Sequence, residues 1–95
     1  MTDDLDALRA EIDAVDREIV DLLNRRARLG LAAGKAKAKN GLPITDADRE
    51  REVMIRVAMS NSGPLPQDAL LSLYRQLIET IRRLEEIEKS GSKPA

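Results

Sequence analysis

The stretch that decides the fold is Leu5-Asp6-Ala7-Leu8-Arg9-Ala10-Glu11-Ile12-Asp13-Ala14-Val15-Asp16-Arg17-Glu18-Ile19-Val20-Asp21-Leu22. Its apolar positions Leu5, Leu8, Ile12, Val15, Ile19 and Leu22 are spaced alternately by three and four residues, which is one face of a helix. Leu29 and Ala33 continue the stripe after one interruption at position 26. Asp3, Asp4 and Asp6 crowd the first turn, where the helix dipole favours negative charge. Asn40-Gly41 followed by Pro43 is a stop signal. The spacing predicts one helix from about Asp3 to Asn40, about 55 Å long at 1.5 Å per residue.

Two shorter helices follow. Thr45 or Asp46 can cap a second helix carrying Val53, Met54, Val57 and Ala58 and ending near Ser60-Asn61. Asn61-Ser62-Gly63-Pro64-Leu65-Pro66 is a loop rich in helix breakers, and Pro66 suits the first turn of a third helix. That helix carries Leu70, Leu73, Tyr74, Leu77, Ile78, Ile81 and Leu84 and fades near Lys89, leaving residues 90–95 as an expected mobile tail. No strand pattern and no repeat is present. The expected class is all-α, with one domain over residues 1–89. A compact chain of this size has a radius of gyration of roughly 12–13 Å, so a first helix of this length cannot be covered by two shorter ones. The economical solution is a second copy of the chain, an intertwined homodimer. The alternative is a three-helix monomer with a broken first helix.

Composition removes much chemistry. Among 95 residues there is no Cys, His, Trp or Phe, and Tyr74 is the single aromatic. A Ser-His-Asp arrangement, a thiolate nucleophile and a Cys/His zinc site are excluded, and no metal is expected. One aromatic is too few for base stacking on single-stranded nucleic acid, and a net charge of −1 argues against a basic nucleic-acid surface. The acidic start lacks the basic and apolar runs of a signal peptide, and no apolar run approaches the ~20 residues that span a bilayer. The expectation is a soluble cytoplasmic protein. Any catalysis must use carboxylates, Arg, Lys, hydroxyls and backbone.

Some charges fall outside the packing pattern. Arg26 occupies a stripe position, where a guanidinium must be paired or costs several kcal/mol. Between Asp21 and Asp46 there is no acid, only Arg25, Arg26, Arg28, Lys35, Lys37 and Lys39. Lys37 lies on the same side as Arg26, about 16 Å along the axis, with Gly30 and Ala33 between. Two cations separated by small residues outline a concave positive site for a small dianion. The alternative is that Arg26 pairs with a carboxylate from another helix. Asp46, Arg49, Glu50 and Val53 share one face of the second helix, either lining a pocket or forming a cap and a surface network. By spacing alone, Glu85 joins Glu86 and Glu88 in a solvated acidic end.

The pattern Leu8-Arg9-x-x-Ile12-Asp13-x-x-Asp16, Leu22-Leu23-Asn24-Arg25-Arg26, Gly34-Lys35-Ala36-Lys37 and Pro43-Ile44-x-Asp46-x-x-Arg49-Glu50 resembles the all-helical chorismate mutases over roughly residues 5 to 87. Asn61-Ser62-Gly63-Pro64-Leu65 is similar to versions fused to other enzymes of the aromatic pathway. The resemblance implies an intertwined dimer that converts chorismate to prephenate, a [3,3] sigmatropic rearrangement needing no cofactor. By that resemblance, Arg26 binds one substrate carboxylate and Arg9 the other. Arg9 precedes Arg26 by about 25 Å along the same helix, so it would come from the partner chain. Lys37 would bind a carboxylate and the ether oxygen, Glu50 would accept from the ring hydroxyl with Asp46 nearby, and Arg49 would support the carboxylate region.

Two positions depart from the family pattern. Glu85 stands where well-known members place a Gln that donates to the ether oxygen, so it must be protonated to help, and a pocket shared with an anion away from water would raise its pKa. Ile81 stands where some members place a Ser near a substrate carboxylate. An isochorismate pyruvate-lyase shares the implied fold and cationic site, although the Gly-x-Ala-Lys run at residues 34–37 favours the mutase. A non-catalytic module docking on another shikimate-pathway enzyme is the alternative from a different class.

Overall fold

The computed structural model describes residues 2–91, with side chains described from residue 4, and three helices account for most of them. Helix α1 spans Thr2–Lys39, α2 spans Ala47–Ser60 and α3 spans Gln67–Lys89. The first helix is unbroken over 38 residues, which removes the broken-helix alternative. The expected tail starts where α3 ends, but residues 92–95 lie outside the described residues.

The helix ends follow the local sequence. At the C-terminus of α1, Gly41 adopts φ 69°, a left-handed conformation that a Cβ would oppose. The Leu42 amide then donates to the Lys37 carbonyl at 2.8 Å and the Gly41 amide to the Ala38 carbonyl at 3.2 Å, closing the two orphan carbonyls of a Schellman end. Asp46 caps α2, its carboxylate accepting from the Arg49 amide at 3.0 Å. Pro66 sits one residue outside α3 as its N-cap, and its carbonyl accepts from the Leu70 amide. The connecting turn is organised by Asn61, whose side chain accepts from the Gly63 amide and donates to the Leu65 carbonyl, both at 3.0 Å.

Helix α3 packs on both α1 and α2, which meet only through it. The α1–α3 crossing is set by two glycines one turn apart. A Cβ at Gly30 would lie 2.5 Å from Ile81 Cγ2, and one at Gly34 would lie 3.0 Å from Glu85 Cγ. Their absence lets α3 approach the α1 backbone and bury Ile81 and Glu85. Burying an isoleucine side chain contributes about 1.5–3 kcal/mol, so this crossing is a main source of intrachain packing. Val53, Met54, Val57 and Ala58 of α2, and Leu70, Tyr74, Leu77, Ile78 and Leu84 of α3, are half-buried. Leu73, expected on the covered face, is exposed because neither α1 nor α2 reaches its side of α3.

The other end of α1 has no such cover. Leu5, Leu8, Ile12, Val15, Ile19 and Leu22, the stripe that specifies the helix, are each about half exposed. The radius of gyration is 17.0 Å and the longest extent 59 Å, well beyond the roughly 12–13 Å radius of a compact chain of this length. Among the described residues no helix is long and apolar enough to cross a membrane.

The glycine crossing makes a direct expectation. A Gly30→Val substitution gains some helix propensity, at most about 1 kcal/mol, but forces two γ-carbons into the space held by the stiff, buried Ile81. Overpacking of this kind costs about 1–3 kcal/mol or more. The denaturation midpoint should fall by an amount equivalent to about 2 kcal/mol, and an unchanged midpoint would show that the close approach does not matter.

Candidate active site

A cavity of about 860 Å³ opens among the three helices and the turn at Ser60–Gly63. Of the residues singled out from the sequence, Arg26, Lys37, Asp46, Arg49, Glu50, Ile81 and Glu85 all line it. Arg9 does not line it and stands on the exposed N-terminal half of α1. Gly30 and Ala33, expected to make the gap between the two cations, both face the cavity, but Gly30 also receives Ile81.

The centre of the site is Glu85. Far from belonging to a solvated acidic end, it is buried at 9% exposure, because the missing Cβ of Gly34 lets its stem lie against α1. Its Oε2 atom has no hydrogen-bond partner. The Lys37 ammonium lies 3.7 Å from that oxygen, and Lys37 is itself held by donating to the Ile44 carbonyl at 3.0 Å. The Schellman turn at Gly41 and the following Pro43-Ile44 therefore aim Lys37 back at the crossing. Burial pushes the Glu85 carboxyl above its ordinary value of 4.5, against the opposing pull of Lys37 and Arg26, and the Glu50 charge adds to the rise.

Arg26 is half-buried, and among the described residues no carboxylate forms an ion pair with it. The interhelical ion pair that spacing left open as an alternative is not made. The acid-free run of α1 is answered from α3 instead, by Glu85 at Lys37 and by Glu88 at Lys35, the latter 3.7 Å apart on the surface. On α2 the two readings of the polar face divide. Asp46, Arg49 and Glu50 line the cavity, with Asp46 also serving as cap. Arg49–Glu52, Arg51–Asp48 and Arg56–Glu52 form an exposed network worth little each.

Two charged cavity residues, Arg56 and Arg82, were not read from the sequence. Arg82 donates from one guanidinium nitrogen to both carboxylate oxygens of Glu50, each at 3.3 Å, linking α3 to α2. Ile78, Ile81, Arg82 and Glu85 fall at i, i+3, i+4 and i+7, so the face that carries the buried residues also carries Arg82. Arg56, Tyr74 and the Ser60–Gly63 turn extend the cavity toward the far end of α2.

Together these features define an all-α domain with a cavity lined by five cations and three carboxyl side chains, centred on the buried Glu85. Residues 8–86 match the family model described as chorismate mutase type II, and the chain belongs to that family. It is 41% identical over 87 residues to a bifunctional chorismate mutase/prephenate dehydratase of Aquifex aeolicus, an alignment covering 87% of this chain and 24% of that protein. It is 32% identical over 88 residues to a 4-amino-4-deoxychorismate mutase of Streptomyces venezuelae, covering 92% of this chain and 85% of that protein. The structure of chorismate mutase (form II) from Thermus thermophilus superposes with a TM-score of 0.82 at 36% identity, covering 86% of this chain and 93% of that one. The chain spans about a quarter of the length of the bifunctional relatives.

The raised Glu85 pKa carries a sign for stability. The folded state binds this proton more tightly than the unfolded chain, so the Glu85 contribution is most favourable at low pH, below the ordinary carboxylate value. It is lost as pH rises from there through the raised folded value, and is constant above it. Glu85→Gln keeps the shape without the charge. At one fixed protein concentration, the stability of wild type relative to Glu85→Gln should fall as pH rises through this window, and a difference independent of pH would contradict the assigned burial.

Proposed function

We propose that this chain catalyses the rearrangement of chorismate to prephenate. The observation that carries the reading is the buried Glu85 oxygen without a hydrogen-bond partner, 3.7 Å from the Lys37 ammonium, in a cavity that also holds the unpaired Arg26. A protonated Glu85 is a donor in need of an acceptor, and Lys37 is a second donor aimed at the same point. An ether oxygen gaining negative charge as its C–O bond breaks and the new C–C bond forms answers both. No proton is transferred and no nucleophile is required, which suits a chain without His or Cys.

In this reading Arg26 binds one substrate carboxylate, and Lys37 contacts a carboxylate as well as the ether oxygen. Glu50 accepts from the ring hydroxyl with Asp46 beside the same group, Arg49 supports the carboxylate region, and Ile81 forms an apolar wall. The second carboxylate falls to Arg9 of a partner chain. Support comes from the uncovered stripe from Leu5 to Leu22, which a second copy would bury, and from the distance that keeps Arg9 out of its own cavity. Even a modest acceleration of ~10⁶ needs about 8 kcal/mol, so holding the substrate in a folded, reactive conformer must add to the electrostatic stabilisation. Residues 1–89 form the proposed catalytic domain, and 90–95 a tail it does not need. The fusion of several relatives to prephenate dehydratase supports an association of this chain with an enzyme that consumes its product.

Absorbance loss of chorismate, with the product identified, tests the reading. Arg26→Ala and Lys37→Ala should each lower the rate about 10²-fold or more, as removal of a charge-stabilising donor does. Turnover that survived both changes would end the active-site assignment. Shared sites make a sharper expectation. Arg9→Ala and Lys37→Ala should each be inactive alone, yet refolding them together in equal amounts should restore roughly a quarter of wild-type activity, because half the dimers are mixed and each holds one complete site. No recovery would mean that Arg9 does not act across chains.

The pH profile follows from Glu85. The rate should be highest where Glu85 is protonated and fall as pH rises through its raised pKa, while Glu85→Gln should hold its rate over the same range. A wild-type profile flat from about pH 5 to 9 would remove Glu85 from the mechanism.

A further inference from the structure

The pairing of Arg82 with Glu50 sets a charge where the substrate's ring substituent would sit. Glu50 and Arg82 come from different helices, are each about one-third exposed, and both face the cavity. A lone Glu50 carboxylate would accept from a neutral hydroxyl, but it would hold a cationic ammonium more strongly, since hydrogen bonds between charged partners are roughly twice as strong as neutral ones. With the guanidinium nitrogen shared between its two oxygens at 3.3 Å, Glu50 keeps outer lone pairs free to accept a hydrogen bond while its charge is neutralised. An ammonium bound there would also meet the Arg82 charge; Arg26 and Lys37 line the same cavity, and the opposing charge near the same group is the carboxylate of Asp46, which is engaged as the α2 cap.

We propose that Arg82 is a positioning residue that acts through Glu50 to make the site prefer a 4-hydroxyl over a 4-amino group on the substrate ring. The inference rests on the chorismate mutase reading of the site and goes beyond it, because it assigns a residue and a direction to the choice of substrate. The choice is a real one within the family, since the Streptomyces venezuelae relative is a 4-amino-4-deoxychorismate mutase. The discrimination comes from repulsion added against the wrong substituent as well as from a contact offered to the right one.

The experiment compares kcat/KM for chorismate and for 4-amino-4-deoxychorismate in wild type, Arg82→Leu and Arg82→Lys, on the full chain at neutral pH. Wild type should favour chorismate. Arg82→Leu should lower the ratio of the two values about tenfold, a discount from a buried pair because the residues are partly solvated. Arg82→Lys keeps the cation beside Glu50 and should retain most of the preference. A change that only loosens the α2–α3 contact lowers both values together and leaves the ratio where it was. If chorismate is turned over and the ratio is the same in all three proteins, Arg82 does not set the preference and the mutase reading stands. If wild type turns over neither compound, both the reading and the inference fall.

Discussion

The contact on which the rest depends is the crossing of α3 over Gly30 and Gly34 of α1. It is the place where the chain buries a large apolar side chain, Ile81, and it buries an ionisable one, Glu85, one turn away. The two events have one cause, because the missing Cβ atoms of Gly30 and Gly34 let Ile81 and the Glu85 stem lie directly against α1. A carboxyl in that position is driven toward its neutral form by desolvation, and the nearby cations only partly offset the drive. The same geometry sets Ile81 and Glu85 against the cavity wall and swings Arg82 toward α2. Packing and the placing of chemical groups are therefore not separable here: a change that relieves the crowding at Gly30 or Gly34 also moves the carboxyl.

Much of this was legible in the sequence, for identifiable reasons. The long helix was readable because its stripe repeats six times without ambiguity, and its end because Asn40-Gly41 with Pro43 permits little else. A cap at Thr45 or Asp46 was readable at the start of the second helix, and the structure gives the role to Asp46. The burial of Glu85 was not, since its sequence neighbours Glu86 and Glu88 are exposed and the cause of its burial, Gly34, lies about fifty residues away in another helix. Family resemblance, rather than periodicity, singled Glu85 out. Arg82 escaped because a cation within a mixed Arg-Arg-Leu-Glu run reads as surface until its partner on α2 is known. Arg26 was half legible: spacing marked its guanidinium as misplaced, and only the three-dimensional arrangement shows that among the described residues no carboxylate forms an ion pair with it.

The exposed half of α1 has to be explained by the same physics. Isolated helices shorter than ~12–15 residues are marginal in water, and longer ones gain most of their stability from packing an apolar face. Here the face from Leu5 to Leu22 is specified as strictly as any in the chain and yet stays about half exposed among the described residues. The cavity is lined by five cations, of which Arg49, Arg56 and Arg82 are each paired with a carboxylate of α2, and at about 860 Å³ it lies near the upper end of the usual range for small-ligand sites. The half-exposed stripe and the distance of Arg9 from its own cavity are both answered by the proposed second chain. Such an arrangement ties activity to assembly, since dilution that separates the chains would remove a substrate ligand and an apolar cover at once.

The absence of the usual catalytic side chains then has a constructive meaning. Reactions that move protons or form covalent intermediates need groups poised to change state during the cycle. A pericyclic rearrangement needs groups that do not change state: a fixed cation, a fixed donor and walls that hold one conformer. In the proposed mechanism, Lys37, tethered at its ammonium by the Ile44 carbonyl, and Glu85, held toward neutrality by burial, serve as such groups. Preorganised dipoles and charges of this kind stabilise a transition state without reorganising at the moment of reaction. The cost is borne in folding, where Glu85 is buried with no hydrogen-bond partner for Oε2 among the protein's own groups. In the proposed reaction, an acceptor that meets Glu85 offsets this cost, and the offset is largest when that acceptor carries the charge of the transition state.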